Sequence, residues 1–370
     1  MFIKRFKTIG GLSSLNRYTN MLAGLASYIP TTNSTAIILN LEASPYMQVQ
    51  NWFNGTTTGF NGKYANPATL PSYILSSSSW SRSKGYLATT NAFSPYVLAY
   101  PFNDAVGFGT KYSNPSTLPG NNGNAVHLDI DNGIIAVNHD ASPYISVYPF
   151  SPSLGFGVRY TQPVSLPSSG GNVIKYFGST IATSQSTTPF INAYSFNTSS
   201  GFGTKYANAP SLPTYSGYGL DASPSGETII SGGISGILAY PWSESSGFGT
   251  KYSQPSGDPY AYSIKFSSSG NSVIFSSNSL QNGTYLHAYP FNTSTGFGTK
   301  YANPATSTIT AASFNAVAVT FGATAIAYAT TASPWVYAYA FSESTGFGSK
   351  YADPSVINTG SSYYGGINFN

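Results

Sequence analysis

Short runs of apolar residues, separated by Gly, Pro, Asn and Ser, follow one another along almost the whole chain. Between residues 118 and 160, three such runs cover residues 125–130, 134–137 and 144–150, and a fourth segment begins at Gly155. The runs are rich in β-branched and aromatic residues, and the residues between them favour tight turns. The pattern therefore predicts repeating units of four short β-strands.

A single motif marks these units. The segment Gly-Phe-Xaa-Xaa-(Lys or Arg)-Tyr occurs seven times at spacings of 48, 48, 46, 46, 49 and 50 residues, beginning at Gly59, Gly107, Gly155, Gly201, Gly247, Gly296 and Gly346. Four strands repeated every 40 to 50 residues or so are typical of β-propeller blades. Pro and Gly recur too often after residue 30 for a helical repeat. The sequence predicts an all-β, seven-bladed propeller over residues 31–370.

The two ends of the repeat array predict how the ring closes. Residues 35–41 and 46–53 supply the second and third strands of the first unit, which lacks an obvious first strand. Residues 363–370 follow the last motif and align with the innermost strand of another unit, residues 262–267. We therefore expect the C-terminal strand to complete the first blade and to remove the free sheet edges of an open array.

Each position of the motif has a structural interpretation. We expect its glycines to adopt positive φ, its Phe to anchor the packing between blades, and its cation to begin the outer strand. An anchor aromatic lies seven residues before each motif, as Trp52, Tyr100, Tyr148, Tyr194, Tyr240, Tyr289 and Tyr339. A buried Tyr whose hydroxyl donates to a backbone carbonyl explains this residue better than a ligand contact.

Charge is sparse and unevenly placed. Only 7% of the residues are charged, and residues 1–30 carry four basic residues and no acid, which accounts for the net charge of +4. Leu12, Leu15, Tyr18 and Leu22 give the same segment one apolar stripe. We predict a helical or extended arm at 1–30 that docks on a partner, with the candidate contacts Lys4, Arg5, Lys7, Leu12, Leu15, Arg17, Tyr18 and Leu22.

The remaining composition excludes several classes of site and partner. The chain has no Cys, no apolar run long enough to span a membrane, and a formally neutral body that is poorly suited to nucleic acid. His127, Asp129 and Asp131 alternate as metal ligands could, but Asp131-Asn132-Gly133 fits a hairpin turn better. We therefore expect no catalytic residue, no metal and no cofactor.

The repeats resemble a known kind of protein. The strings Ala141-Ser142-Pro143-Tyr144 to Phe150 and Gly107-Phe108-Gly109-Thr110-Lys111-Tyr112 are similar to those of WD-repeat-like propellers encoded by tailed bacteriophages. The Gly-His and Trp-Asp signatures of true WD repeats are missing. The resemblance implies a non-enzymatic virion component, such as a decoration or tail-associated protein, whose partners are other virion structural proteins.

Two further interpretations stay open. The first is a receptor- or glycan-binding propeller on a phage tail or a bacterial surface, with Tyr46, Tyr96, Tyr144 and Trp335 as the contact residues. The second is an enzyme of the lactonase or glycosidase type. We rank the enzyme last, because such propellers need convergent carboxylates or a metal at the channel, and the 11 acids of this chain are scattered.

Overall fold

Strands arranged in seven separate sheets make up the described part of the chain. The computed structural model describes residues 34–41, 44–53, 59–81, 84–234, 236–257, 260–281, 284–305, 316–319, 324–329, 336–355 and 367–369. These residues contain no α-helix. The candidate arm contacts between Lys4 and Leu22 lie outside the described residues, as does Trp335.

Each sheet is one four-stranded antiparallel blade. Blade 1 holds β28 (Ile367–Phe369), β1 (Ser34–Asn40), β2 (Met47–Phe53) and β3 (Phe60–Lys63). Blade 2 holds β4 (Leu75–Ser81), β5 (Tyr86–Asn91), β6 (Val97–Asn103) and β7 (Gly107–Phe108). Blade 3 holds β8 (Gly123–Asp129), β9 (Ile134–His139), β10 (Ile145–Ser151) and β11 (Gly155–Phe156). Blade 4 holds β12 (Ile174–Phe177), β13 (Thr180–Ser184), β14 (Ile191–Asn197) and β15 (Gly201–Lys205).

The other three blades repeat this order. Blade 5 holds β16 (Gly217–Ala222), β17 (Thr228–Gly233), β18 (Gly236–Ser243) and β19 (Gly247–Phe248). Blade 6 holds β20 (Ser263–Phe266), β21 (Ser272–Gln281), β22 (Thr284–Asn292) and β23 (Gly296–Phe297). Blade 7 holds β24 (Ala316–Val319), β25 (Ala325–Ala329), β26 (Val336–Ser342) and β27 (Gly346–Lys350). The predicted seven-bladed fold is confirmed.

The C-terminal strand closes the ring, as predicted. β28 pairs with β1 through Ile37 with Phe369, Ile38 with Asn368 and Leu39 with Ile367. Each innermost strand contacts the innermost strands of both neighbouring blades, so that β4, β8, β12, β16, β20, β24 and β28 wall a central channel. Apolar residues of adjacent blades pack together in seven clusters, one for each blade interface.

The motif tyrosine fastens each blade to the next. Its ring lies edge-on against an aromatic ring of the following blade, with centroids 4.7–5.5 Å apart, at all seven interfaces including Tyr351 with Trp52. The same ring covers the first motif glycine of that blade. A Cβ at Gly296 would lie 2.8 Å from Tyr252 Cβ, and one at Gly346 would lie 2.8 Å from Tyr301 Cβ.

The hydroxyl of the motif tyrosine adds a directional bond to this contact. It donates to a carbonyl in the turn before the outer strand of the next blade: Tyr64 to Asp104 (3.2 Å), Tyr112 to Pro152 (2.8 Å), Tyr160 to Thr198 (2.6 Å), Tyr206 to Glu244 (3.0 Å), Tyr252 to Thr293 and Tyr301 to Glu343 (2.5 Å). The first motif glycine has positive φ in every blade, between 59° and 85°. The glycine is therefore required by its backbone angle and by the tyrosine that lies on it.

The motif cation is placed differently from our expectation. We predicted that it begins the outer strand, and this was wrong, because Lys63, Lys205 and Lys350 are the last residues of β3, β15 and β27. The outer strand instead begins at the Gly-Phe pair. The anchor tyrosines behave as predicted in blades 2, 3 and 5, where their hydroxyls donate to Thr69 O, Thr117 O and Ser211 O.

Replacing a motif glycine by alanine tests the tyrosine contact. Gly296 and Gly62 have the same φ of +82°, but only Gly296 has a neighbour within 4 Å of an added Cβ. We expect both Gly→Ala variants to lose about 1 kcal/mol from the backbone angle, and Gly296→Ala to lose about 1–3 kcal/mol more from overpacking. Urea unfolding gives both values, and equal losses would contradict the packing role.

Removing one hydroxyl tests the anchor tyrosines. Tyr240 donates to Ser211 O at 2.7 Å, whereas the buried hydroxyl of Tyr194 has no hydrogen-bond partner among the described residues. Tyr240→Phe leaves a carbonyl unsatisfied and should cost about 1–2 kcal/mol of unfolding free energy. Tyr194→Phe is the matched control and should cost almost nothing; a larger loss at Tyr194 than at Tyr240 would refute this account.

Candidate functional site in the central channel

Five polar side chains occupy one level of the channel wall. In each of blades 2 to 6 the anchor tyrosine pairs with an apolar residue of the second strand. The next residue along the second strand pairs with one residue of the innermost strand; in blade 2, Tyr100 pairs with Leu87, and Ala88 pairs with Ser79. This register selects Ser79, His127, Lys175, Asp221 and Lys265, which we call the channel ring. Five consecutive blades therefore present polar groups at the same height.

Part of the channel ring satisfies the backbone of the wall. Ser79 Oγ accepts from Leu128 N at 2.9 Å, and Asp221 Oδ2 accepts from Phe266 N at 3.0 Å. The His127 ring is hydrogen-bonded to the backbone of Tyr176. Each bond reaches the residue that follows the ring position in the next blade. These bonds supply partners to innermost strands that have an unpaired edge, which is a structural task.

The two lysines of the channel ring have no such task. Lys175 Nζ lies 3.0 Å from Asp221 Oδ1, and the two side chains are 26% and 6% exposed. Lys265 is also close enough to Asp221 for the two charges to interact. Two cations thus share one carboxylate within the channel ring. The surplus positive charge stands in a partly desolvated channel, where charges attract opposite charges more strongly than in water.

Burial and charge set the protonation states of the ring. Burial, together with Lys175 and Lys265, lowers the pKa of His127 well below its usual value, so that the imidazole is neutral at pH 7. Burial also lowers the pKa of Lys265. Burial by itself raises the pKa of Asp221, but the two lysines and the Phe266 N–H outweigh burial and hold that pKa below its usual range. A neutral base and an ionised acid therefore lie at one level.

A second tier of side chains lies three residues before the ring, at the end of the channel where the innermost strands begin. We call Asn124, Asn172, Tyr218 and Tyr262 the mouth tier. Bulges between Gly123 and Ala125 and between Gly217 and Gly219 leave Asn124 and Tyr218 as the extra residues of their strands. Bulges redirect side chains and are common beside active sites. The mouth tier lies in blades 3 to 6, the four blades whose channel-ring residues are titratable.

The residues singled out from the sequence lie elsewhere. Tyr46, Tyr96 and Tyr144 follow the Ser-Pro turns of blades 1, 2 and 3 and have φ of 65°, 67° and 69°. They are half-buried at the turns between the second and third strands. Among the described residues, no contact joins them to the channel ring, and their contact with a glycan stays a prediction.

The acidic residues near His127 form a turn, as the hairpin interpretation predicted. Asp129 accepts from the backbone N and the side-chain Nδ2 of Asn132, both at 2.9 Å, and Asp131 pairs with Lys84 at 3.0 Å. No group of three or more potential metal ligands occurs within the described ranges. In that same part of the chain, no helix has the length and apolar character needed to cross a membrane.

Two surface cavities lie outside the channel. One of about 710 Å³ borders β15 and Val164, and one of about 630 Å³ lies between turns of blades 4 and 5. In the second cavity, Glu244 Oε1 already accepts from Ser179 N at 2.6 Å. Neither cavity includes a residue of the channel ring.

Solved structures of similar fold were compared with this chain. A protein from Lactobacillus plantarum superposes with a TM-score of 0.65 at 13% identity, covering 91% of this chain and 99% of its own. The periplasmic gluconolactonase PpgL of Pseudomonas aeruginosa gives the same values. A putative 6-phosphogluconolactonase from Bacteroides uniformis gives a TM-score of 0.63 at 13% identity, covering 92% and 100%. These likenesses establish the fold.

Comparison of the sequence gave no assignment. No family model matches the chain. No curated protein matches it either. The resemblance to phage propellers is therefore not supported by a relative.

The functional expectation from the sequence is corrected by these findings. We expected a non-enzymatic virion component, and the lactonase names of similar structures contradict both that role and the expectation that the chain is not an enzyme. We had assumed that an enzyme of this fold needs convergent carboxylates or a metal. The channel instead brings together two lysines, one aspartate and one histidine. We had ranked the enzyme last for want of such a group.

Sequence reasoning missed the channel ring for a physical reason. The distance from the ring residue to the anchor tyrosine, by subtraction of residue numbers, is 21 residues in blades 2 and 3, 19 in blades 4 and 5, and 24 in blade 6. The turns between the strands vary in length, so the repeat does not align at this position. A signal was present, since Lys175 and Lys265 each stand between apolar residues of an innermost strand.

Breaking the Lys175–Asp221 pair tests the electrostatics of the ring. Lys175→Met removes a cation that holds down the Asp221 pKa, so that pKa rises and the variant loses about 2 kcal/mol of unfolding free energy at pH 7. A carboxylate with a depressed pKa stabilises the fold above its unfolded pKa of about 4 and loses this contribution as the pH falls. The loss should therefore shrink below about pH 4, as measured by urea unfolding at several pH values.

The exposed pair Lys84–Asp131 supplies the control for this experiment. Its side chains are 52% and 72% exposed at a distance of 3.0 Å. Lys84→Met should cost at most about 0.5 kcal/mol. A Lys175→Met loss that is equally small, or that does not change with pH, would contradict the buried pair.

Proposed function

We propose that this chain is a hydrolase of lactones, with its active site at the channel ring. The observation that carries the proposal is the surplus lysine charge beside a histidine held neutral at the same level. The charge of the second lysine is not needed to neutralise Asp221, whereas it would stabilise a developing oxyanion. The lactonase names of proteins with this fold support a cyclic ester as the substrate.

The reaction uses water and no further reagent. Water attacks the ester carbonyl carbon, the carbonyl oxygen becomes an oxyanion, and the ring C–O bond then breaks to give a hydroxy acid. A cation in a desolvated site stabilises the oxyanion more strongly than bulk water does. Lys265 serves as this cation, because Asp221 already pairs with Lys175 at 3.0 Å.

His127 moves the proton in this proposal. Its lowered pKa keeps the imidazole neutral, and its hydrogen bond to the backbone of Tyr176 orients the ring. The nitrogen that is not engaged by Tyr176 accepts the proton of the attacking water and passes it to the departing alkoxide oxygen. Asp221 is a positioning residue that holds Lys175 and separates the charges of the two lysines.

Lactone hydrolysis by variants tests the proposal. The wild type should hydrolyse a five- or six-membered lactone above the spontaneous rate, followed in a pH-stat as release of the acid product. Lys265→Met and His127→Asn should each lower kcat by about 100-fold or more. Because the His127 pKa is lowered, the wild-type rate should stay level from pH 8 to about pH 6 and fall only at more acidic pH.

Lys251→Met is the matched control. Lys251 belongs to the motif of blade 5, and its Nζ donates to Gln254 Oε1 at 3.3 Å, outside the channel ring. This variant should keep the wild-type rate, and thermal unfolding checks that all three variants are folded. A wild-type rate no higher than the spontaneous one, or a Lys265→Met variant as active as wild type, would refute the proposal.

A further inference from the structure

The mouth tier combines an aromatic surface with fixed amide groups. Tyr218 and Tyr262 stack with centroids 4.6 Å apart and an interplanar angle of 15°. Tyr218 is still 38% exposed, so the stack covers one face of its ring and leaves other ring surface open to solvent. Because these residues lie three positions before Asp221 and Lys265, a ligand that enters from this end meets the tyrosines before the charges.

Glycines on either side of Tyr218 build this arrangement. A Cβ at Gly219 would lie 2.9 Å from Ile264 Cγ1 and 3.0 Å from Tyr262 O, and a Cβ at Gly217 would lie 3.0 Å from Ser184 Cβ. The two glycines therefore let blade 5 approach its neighbours closely, and the bulge between them turns Tyr218 out of the ladder. The stacked pair is held by backbone packing.

The asparagines of the mouth tier are also fixed in place. Asn124 Nδ2 donates to Asp140 Oδ1 at 2.5 Å, and Asn172 Nδ2 donates to Gly217 O at 3.0 Å. Among the residues that the structure describes, both asparagines hydrogen-bond through Nδ2, and none of these bonds uses a side-chain oxygen. Two oriented acceptors in blades 3 and 4 thus accompany the aromatic pair in blades 5 and 6.

We propose that the mouth tier is a subsite for a saccharide ring. The faces of such a ring carry C–H groups that pack on an aromatic surface, and its rim carries hydroxyls that donate to amide oxygens. The tier has both features, and its four side chains carry no charge. The charge next to it is the Asp140 carboxylate on Asn124, which disfavours an anion, so the tier matches a neutral polyhydroxylated ring. The assignment rests on the proposed function in one respect. It takes the saccharide to be part of the lactone substrate, so that the ester of that substrate reaches the channel ring.

Binding of a saccharide that is not a lactone tests the subsite without any reaction. The probe is methyl α-D-glucopyranoside, observed by saturation-transfer NMR, with cyclohexanol as an apolar ring of similar size. We expect transfer to the ring protons of the glucoside, binding about 5- to 10-fold weaker in Tyr218→Ala, and little transfer to cyclohexanol. Tyr73→Ala is the control. Tyr73 is as exposed as Tyr218, at 39%, and also contacts an aromatic ring, Phe93 at 4.4 Å, but it precedes β4 of blade 2 and is not part of the mouth tier.

A kinetic measurement separates this proposal from the proposed function. The ratio of kcat/KM for D-glucono-δ-lactone to that for δ-valerolactone should be high in the wild type and fall about 10-fold in Tyr218→Ala. Hydrolysis of both lactones with equal efficiency and no glucoside binding would overturn the subsite and leave the hydrolase standing. Glucoside binding without hydrolysis would support the subsite and overturn the hydrolase. Glucoside binding unchanged in Tyr218→Ala, or equal binding of cyclohexanol, would overturn the subsite.

Discussion

The contact between a motif tyrosine and the first motif glycine of the next blade is the constraint on which the ring depends. A single side chain fills the space left by the missing Cβ, lies edge-on against an aromatic ring, and donates its hydroxyl to a turn carbonyl. The contact recurs from blade to blade and returns to blade 1 through Tyr351 and Trp52. Because every blade uses the same contact, the blades are held at their outer edge by a tyrosine and a glycine that are identical in all seven copies.

This outer constancy leaves the innermost strands free to differ. At one register position the chain places Ser79, His127, Lys175, Asp221 and Lys265 in successive blades. Ser79 and Asp221 have a structural use, since each accepts a backbone N–H of the next blade. The two lysines instead share the one carboxylate of Asp221. This excess of positive charge distinguishes a candidate site from a channel wall whose polar side chains only satisfy backbone hydrogen bonds.

The geometry of a propeller explains why scattered residues can act together. Lys175 and Asp221 are 46 residues apart by subtraction, yet their side-chain atoms lie 3.0 Å apart, because equivalent positions of adjacent blades meet around the channel. A search for chemistry within a few residues of sequence cannot find such a group. Such a search found His127, Asp129 and Asp131 instead. Asp129 accepts a hydrogen bond from Asn132 within the turn, and Asp131 pairs with an exposed lysine.

The sequence alone determined the architecture. Seven copies of the Gly-Phe motif predicted seven blades, and the run at 363–370 predicted how the ring closes. The backbone bonds predicted for the anchor tyrosines form in blades 2, 3 and 5. These features repeat, so the chain can be compared with itself. Only the tertiary structure decided the site. The ring positions stand at 19, 21 or 24 residues from the anchor, and only strand pairing brings them to one level. The charge of a buried lysine is likewise meaningful only once its single carboxylate neighbour is known.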